Sequence, residues 1–241
     1  GLEHLSSLKP EIARSIDVLV VRELNGDVYF GDKGERASAG GREGWDAMSY
    51  NEAEVRRIAH TAFRAAMGRG KRLTSVDKAN VLETSRIWRE TVIDVAKDYP
   101  EVTLDHMYVD NAAMQMVKAP GQFDTIVTGN LFGDILSDLC AGLVGGLGLA
   151  PGANIGEKAA IFEAVHGSAP DIAGKKIANP CALLLAAAQM LDHLGMTAKG
   201  DAIRQGIRAV LENRRDMVTP DMGGTGTTDT FAQALVEHLK G

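Results

Sequence analysis

Two cysteines, Cys140 and Cys181, are too few for a disulfide framework, and their separation matches no metal-binding spacing. Set among apolar, helix-like residues, they read as reduced core thiols of a cytoplasmic protein. No apolar run reaches membrane-spanning length and no signal peptide is present; "LLLAAAQML" (183–191) is too short to cross a bilayer and reads as a buried helix. Lys and Arg number 26 against 32 Asp and Glu, a net charge of −6, and they gather in no stripe, which excludes a nucleic-acid backbone as the partner. Seven prolines and no low-complexity block exclude a long disordered tail. What is present is a globular chain of 241 residues, enough for one large domain or two small ones.

Short apolar runs alternate with helical patterns. "IDVLVVREL" (16–24) predicts a strand. "NEAEVRRIAHTAFRAAM" (51–67) opens with Asn51 as N-cap and Glu54 three residues on, then repeats apolar residues at helical spacing. A strand at 72–76, a helix through 82–97, a strand at 103–109, a short helix through 112–117, a strand at 125–128 and a helix carrying Asp134 follow. This alternation predicts an α/β protein with substantial parallel sheet, whose ligands gather at the carboxyl ends of the strands. Two stretches interrupt it. Residues 31–50 are glycine-rich and polar, either a mobile loop or an arm that another subunit orders. "GLVGGLGLAPGANIG" (142–156) marks a composition break and a candidate hinge; beyond it come a strand near 160–165, helices from Cys181 and Ala198, and a last helix capped by Thr228.

"TGNLFGDILSDLCAGLVGGLG" (128–148) puts Asp134 and Asp138 four residues apart, where like charges on one helix face repel. A divalent cation or a basic partner would offset that repulsion, and a thiol-free carboxylate set suits Mg²⁺ or Mn²⁺. Asp110, directly after a strand, is a third candidate ligand; taken alone, the pair reads first as a solvated helix face. Lys78 also follows a strand end, and a desolvated lysine beside a cation is a candidate general base. Tyr29 follows a turn from which a phenol could deliver a proton. An exposed lysine and a half-buried tyrosine remain open alternatives. "VHGSAPDIAGKKIANP" (165–180) offers backbone N–H groups able to cradle phosphate, or is an ordinary turn. "GGTGTT" (223–228) has no strand before it and reads as structural.

Five fragments, "VVRELNGDVYFG", "SVDKANVLETSRIWRE", "YVDNAAMQMV", "GNLFGDILSD" and "VHGSAPDIAGKKIANP", resemble in order and spacing the β-hydroxyacid oxidative decarboxylases of the isocitrate/isopropylmalate dehydrogenase family. The resemblance covers nearly the whole chain. "RELNGDVYFG" and the opening "GLEHLSSLKPEIARSIDVLVVREL" are similar to the isopropylmalate branch, whereas "DLCAGLVGGLGLAPGANIG" and "FEAVHGSAP" are closer to NAD-dependent isocitrate dehydrogenases.

The resemblance implies a two-lobed α/β fold with a largely parallel sheet, residues 1–144 forming a metal, substrate and dimerisation lobe and 145–241 the C-terminal half of a cofactor lobe. It implies oxidative decarboxylation of 3-isopropylmalate to 2-oxoisocaproate, as in leucine biosynthesis, with NAD and Mg²⁺ or Mn²⁺; isocitrate is the alternative substrate. Asp110, Asp134 and Asp138 would hold the metal, with Asp110 also touching substrate. Arg22 and Asn80 would bind substrate, Lys78 would assist removal of the hydroxyl proton, and Tyr29 would protonate the enolate. His166, Gly167, Ser168, Ala169, Asp171 and Asn179 would line the adenosine side of NAD. The active site would be shared across a homodimer, Lys78 and Asp110 of one subunit meeting Asp134 and Asp138 of the other. The family's opening strand and glycine-bearing loop, specificity helix and two further arginines have no counterpart here, so a non-catalytic dimerisation fragment is also expected as an alternative.

Overall fold

A computed structural model describes residues 3–240; Gly1, Leu2 and Gly241, which the resemblance and the expected lobes include, lie outside the described residues. In chain order the elements are α1 (Pro10–Ala13), β1 (Leu19–Arg22), β2 (Lys33–Ser38), β3 (Gly41–Asp46), α2 (Glu52–Met67), β4 (Arg72–Asp77), α3 (Glu83–Ala96), β5 (Thr103–Tyr108), α4 (Val109–Lys118), β6 (Thr125–Thr128), α5 (Asn130–Leu143), β7 (Pro151–Ile155), β8 (Ala160–Ala164), α6 (Cys181–His193), α7 (Thr197–Asn213) and α8 (Thr228–Lys240). They divide into two compact units, one spanning Glu11–Cys140 and the other taking in the chain up to Pro10 and from Ala141 onward.

The first unit is built on a four-stranded, wholly parallel sheet in the order β1-β6-β4-β5. Capping explains where its best-formed helix begins. Asn51 accepts the Glu54 N–H at 3.0 Å while Glu54 accepts the Asn51 N–H at 2.9 Å, so two helix-end donors are satisfied reciprocally. Val55, Ala59, Ala62, Phe63 and Ala66 then form one buried stripe of α2, which packs with Trp88, Val92 and Val95 of α3 against Leu73 and Val127 of the sheet. Burying side chains such as Phe63 or Val92 contributes about 1.5–3 kcal/mol each. The one polar atom of Trp88 is not orphaned, because its indole N–H donates to Ser75 Oγ at 3.1 Å.

In register, Arg22 lies beside Thr128, Thr128 beside Val76, and Asp77 beside Tyr108. All four strands therefore finish along one edge of the sheet. Arg22 closes β1, Lys78 follows β4, Asp110 opens α4 immediately after β5, and Asn130 opens α5 after β6.

Residues 31–50 are neither a loop nor disordered in secondary structure. They contain the antiparallel hairpin β2–β3, exposed along almost its whole length. Arg36 pairs with Glu43 and Arg42 with Glu35 across the strands, and Gly34 lets the Trp45 indole lie over the backbone, where a Cβ would meet Nε1 at 3.1 Å. Glycine masks the period-two pattern that would have revealed these strands.

The second unit packs α6, α7 and α8 around Cys181, Ile207, Val210, Leu211, Phe231 and Leu235, with the antiparallel hairpin β7–β8 beside α6. The break expected after residue 144 falls at 140/141, and the first residues of the chain join this later unit: Leu5 packs on its core and Ser6 Oγ donates to Leu143 O at 2.5 Å. α6 is not buried throughout, since Leu183 and Met190 are exposed and its buried side is mainly Cys181, Ala182, Ala186 and Ala188. Thr227 rather than Thr228 caps α8, its hydroxyl accepting the Thr230 N–H at 3.1 Å, while the Thr228 hydroxyl donates to Ala178 O at 2.5 Å. The glycines at 224 and 226 serve close backbone packing, as a Cβ would fall 2.0 Å from Val218 O and 2.3 Å from the Met217 carbonyl carbon.

Candidate active site

At the end of β1 the Arg22 guanidinium is fixed on two sides. Nε and Nη2 donate to Asn130 Oδ1 at 3.0 and 2.8 Å, and Nη1 meets the Asp134 carboxylate at 2.7 Å. Both partners come from the start of α5, one turn apart. Gly133 makes this possible, because any Cβ there would lie 2.6 Å from Arg22 Cγ. Tyr29 stands next to the same cation, with the guanidinium carbon 5.5 Å from its ring centre. Partial desolvation and the Asp134 carboxylate beside its hydroxyl push the Tyr29 phenol above its ordinary range, so it keeps its proton near neutrality. Asp138 lies farther along α5, exposed, and makes no ion pair among the described residues. The repulsion between the two α5 carboxylates is thus relieved in part by Arg22, which neutralises Asp134.

A second cluster forms at the ends of β4 and β5. Lys78 Nζ meets Asp110 Oδ1 at 2.5 Å, and this hydrogen bond holds the Asp110 carboxyl below the usual carboxylate range. Asp77, 2% exposed, receives a two-pronged contact from Arg89 at 2.8 and 2.9 Å and also accepts the Ala79 N–H. Arg89 in turn lies 5.0 Å over the Tyr108 ring, whose centre is 5.9 Å from Lys78 Nζ. Two cations therefore share one aromatic ring, and the buried Asp77 sets the place of one of them. Asn80 sits exposed in the turn that follows.

The three aspartates expected to share a metal are not brought together within this chain. Among the described residues no group of three His, Cys, Asp or Glu side chains is placed to hold a metal ion. Asp110 belongs to the Lys78 cluster and Asp134 to the Arg22 cluster. Sequence reasoning missed Asp77, Arg89, Tyr108 and Asn130 as supports. The signal available for Asp77 was its place directly before Lys78; nothing in spacing pointed to Arg89.

In the second unit His166, Gly167, Ser168, Ala169 and Asp171 lie on one exposed loop. His166 Nδ1 is 2.9 Å from Gly167 O, Ala169 has a left-handed backbone (φ 44°), and Asp171 lies in the single turn Pro170–Ile172. The far end of the loop is anchored. Asn179 donates to Asp221 at 2.9 Å and accepts the Cys181 N–H at 2.9 Å, opening α6.

A family model described as "Isocitrate/isopropylmalate dehydrogenase" matches residues 1–235. The chain is 57% identical to a 3-isopropylmalate dehydrogenase of Novosphingobium aromaticivorans and 54% identical to one of Ralstonia nicotianae, in each case over 99% of this chain and 70% of the relative. Among solved structures, the isocitrate dehydrogenase of Methylococcus capsulatus is similar with a TM-score of 0.88 and 42% identity, over 94% of this chain and 68% of that one. No helix among the described residues is long and apolar enough to cross a membrane. With strand-end clusters of this composition and relatives this similar along nearly its whole length, the chain belongs to the isocitrate/isopropylmalate dehydrogenase family of decarboxylating dehydrogenases.

Proposed function

We propose that the protein oxidises and decarboxylates 3-isopropylmalate to 2-oxoisocaproate in leucine biosynthesis, using NAD and Mg²⁺ or Mn²⁺. The observation that carries this reading is the Arg22–Asp134–Tyr29 cluster, in which an anion-binding fork, a metal-type carboxylate and a protonated phenol meet at one strand end. The oxygen-only chemistry of Asp110, Asp134 and Asp138 fits a hard divalent cation. Since the chain separates Asp110 from the α5 pair, we read the metal site as completed by a second copy, Asp110 and Lys78 of one subunit joining Asp134 and Asp138 of the other. The exposed Asp171 carboxylate fits the ribose hydroxyls of NAD, with His166, Gly167, Ser168, Ala169 and Asn179 around it. On this reading Glu11–Cys140 is the metal, substrate and dimerisation unit, the β2–β3 hairpin its intersubunit arm, and the later unit part of the cofactor lobe.

When bound, NAD accepts the hydride, and the cation polarises the substrate hydroxyl and its neighbouring carboxylate. Arg22 binds a substrate carboxylate through the guanidinium N–H groups that Asn130 and Asp134 leave free, and Asn80 contacts the substrate from the β4 turn. Lys78, held beside Asp110, assists loss of the hydroxyl proton as the C–H bond gives up its hydride. The C–C bond to the departing carboxylate then breaks, leaving CO₂ and an enolate whose carbon takes a proton from Tyr29. NADH formation with 3-isopropylmalate, compared with isocitrate in the presence of Mn²⁺, tests the reading. Preference for 3-isopropylmalate is expected; preference for isocitrate would overturn it.

A further inference from the structure

The turn that presents Tyr29 is suspended from two buried carboxylates that the scheme above does not use. Glu23, 2% exposed, accepts the N–H groups of Asn25 and Gly26 at 3.0 and 2.8 Å and pairs with Arg57, which fixes the first half of the turn. Asp27, 1% exposed, organises the second half. Its Oδ1 accepts the Val28 N–H at 2.7 Å, and its backbone carbonyl accepts those of Phe30 and Gly31 at 3.2 and 3.0 Å, so the residues on both sides of Tyr29 are tied to it. Its Oδ2 leaves the turn altogether and accepts the N–H of Leu131, in the first turn of α5, at 3.0 Å. Tyr50 braces the same junction: its hydroxyl accepts the Asn130 N–H at 2.8 Å and points at Asp27 Oδ2 from 3.5 Å.

The backbone of Asp27 sharpens the question, because its φ is 73°. That left-handed conformation suits glycine and is unfavourable for a residue with a Cβ. Backbone geometry alone would place glycine here; a carboxylate is explained by what it reaches.

We propose that Asp27 is a positioning residue, whose carboxylate locks the Tyr29 turn to the start of α5 and so holds the phenol in register with Asp134 and Arg22. The proposal rests on the role given to Tyr29 above. Asp27 touches no reacting atom; it sets the distance between the proton donor on one segment and the carboxylate and guanidinium fixed by another. Without it the turn keeps its Glu23 anchor and the Asn130 Nδ2–Gly26 O bond at 3.2 Å, and loses the carboxylate bond that ties the Tyr29 side of the turn to α5.

The test needs no turnover. The four tyrosines are labelled as 3-fluorotyrosine and the Tyr29 fluorine resonance is assigned by its loss in Tyr29→Phe. Asp27→Gly accepts the backbone conformation but removes the carboxylate, whereas Asp27→Asn leaves one acceptor oxygen where Val28 and Leu131 each use one. In Asp27→Gly the Tyr29 resonance is expected to narrow and move most of the way to its unfolded position, and exchange of the Leu131 amide to accelerate about tenfold or more, as loss of a bond to a charged acceptor implies. Asp27→Asn should shift both in the same direction by less, because one of the two bonds survives. The Tyr99 resonance, from a ring stacked on Phe63 at 4.9 Å, reports whether the fold survives. Should Asp27→Gly fail to fold, Asp27→Asn still decides, since a Tyr29 resonance and a Leu131 exchange rate both unmoved from wild type would overturn the proposal. So would an unmoved Tyr29 resonance in folded Asp27→Gly. If only the catalytic role of Tyr29 is wrong, Tyr29→Phe retains activity while the fluorine shifts occur as expected, so the two failures are distinguishable.

Discussion

Gly133→Ala should destabilise the protein although alanine is the better helix former. In an open helix the change gains about 1 kcal/mol. Here the new methyl would lie 2.6 Å from Cγ, 2.9 Å from Cβ and 3.1 Å from Cδ of Arg22, all on the stem of a side chain whose far end is held by Asn130 and Asp134. The stem cannot move without releasing the guanidinium. Forced overpacking costs about 1–3 kcal/mol, and losing one charge-assisted bond to the buried Asn130 adds about 1.5 kcal/mol. The Asp134 ion pair adds little, because that carboxylate is 49% exposed. After the helix gain the net loss is about 1.5–3.5 kcal/mol, a fall in melting temperature of about 3–14 °C for a chain of this size. Gly142, in the same helix, is the control: a Cβ there meets nothing within 4 Å, so Gly142→Ala should raise stability slightly. Differential scanning calorimetry of both variants checks the pair, and a Gly133→Ala protein as stable as Gly142→Ala would refute the account of Arg22. In an Arg22→Ala background Cγ and Cδ are gone while Cβ, 2.9 Å away, stays, so part of the penalty should vanish, measured as coupling in a double-mutant cycle.

Three further outcomes are expected. Calorimetric titration with Mn²⁺ should show Asp134→Ala binding at least about tenfold more weakly than wild type, one lost charged ligand being worth that much; equal affinities would remove Asp134 from the metal site. Asp171→Lys should erode or reverse a preference for NAD over NADP in steady-state kinetics, because the exchange replaces a repelling charge with an attracting one; a native preference for NADP would show the loop is misread. Burial pushes the thiol of Cys181 up to about 12, with Asp221 adding to it, and that of Cys140 up to about 11. These raised values favour the protonated native form, so the associated stability is full below the ordinary thiol range of about 8.5 and declines as pH rises toward the folded values. Iodoacetamide near neutrality should leave the native thiols unmodified and label both in urea; rapid native labelling would contradict their burial.

The strand at 125–128 was legible as a short buried run, those at 72–77 and 103–108 from their place between helical patterns, although the second is an edge strand with no buried residue, and α2 because its capping box and apolar stripe agree. Lys78, Asp110 and Asp134 could be suspected from strand-end placement alone, since the chain leaves a parallel sheet where ligands collect. What stayed hidden depends on partners distant in sequence. Asp27 reads as a turn residue until Leu131 is beside it, and Gly133 as a helix weakness until Arg22 lies across it. The hairpin at 33–46 was missed because four glycines replace the alternation that marks a strand. The separation of Asp110 from Asp134 is a property of three-dimensional placement, which no spacing along the chain encodes.

The order in which the sheet is completed has a consequence for synthesis. β6 lies between β1 and β4, yet it is the last of the four strands to be made. Until Thr128 leaves the ribosome, β1 has no neighbour, and only the β4–β5 pair with α2 and α3 can form. Such a nascent species presents the apolar β4 edge and an unpaired β1, both templates for pairing with another chain. The later unit must wait longer still, because Ser6 finds its acceptor on Leu143, 137 positions downstream. Emergence of the chain only as far as Val109 would therefore expose it at its most association-prone stage, whereas emergence as far as Cys140 would leave a finished sheet with Ser6 still lacking its acceptor.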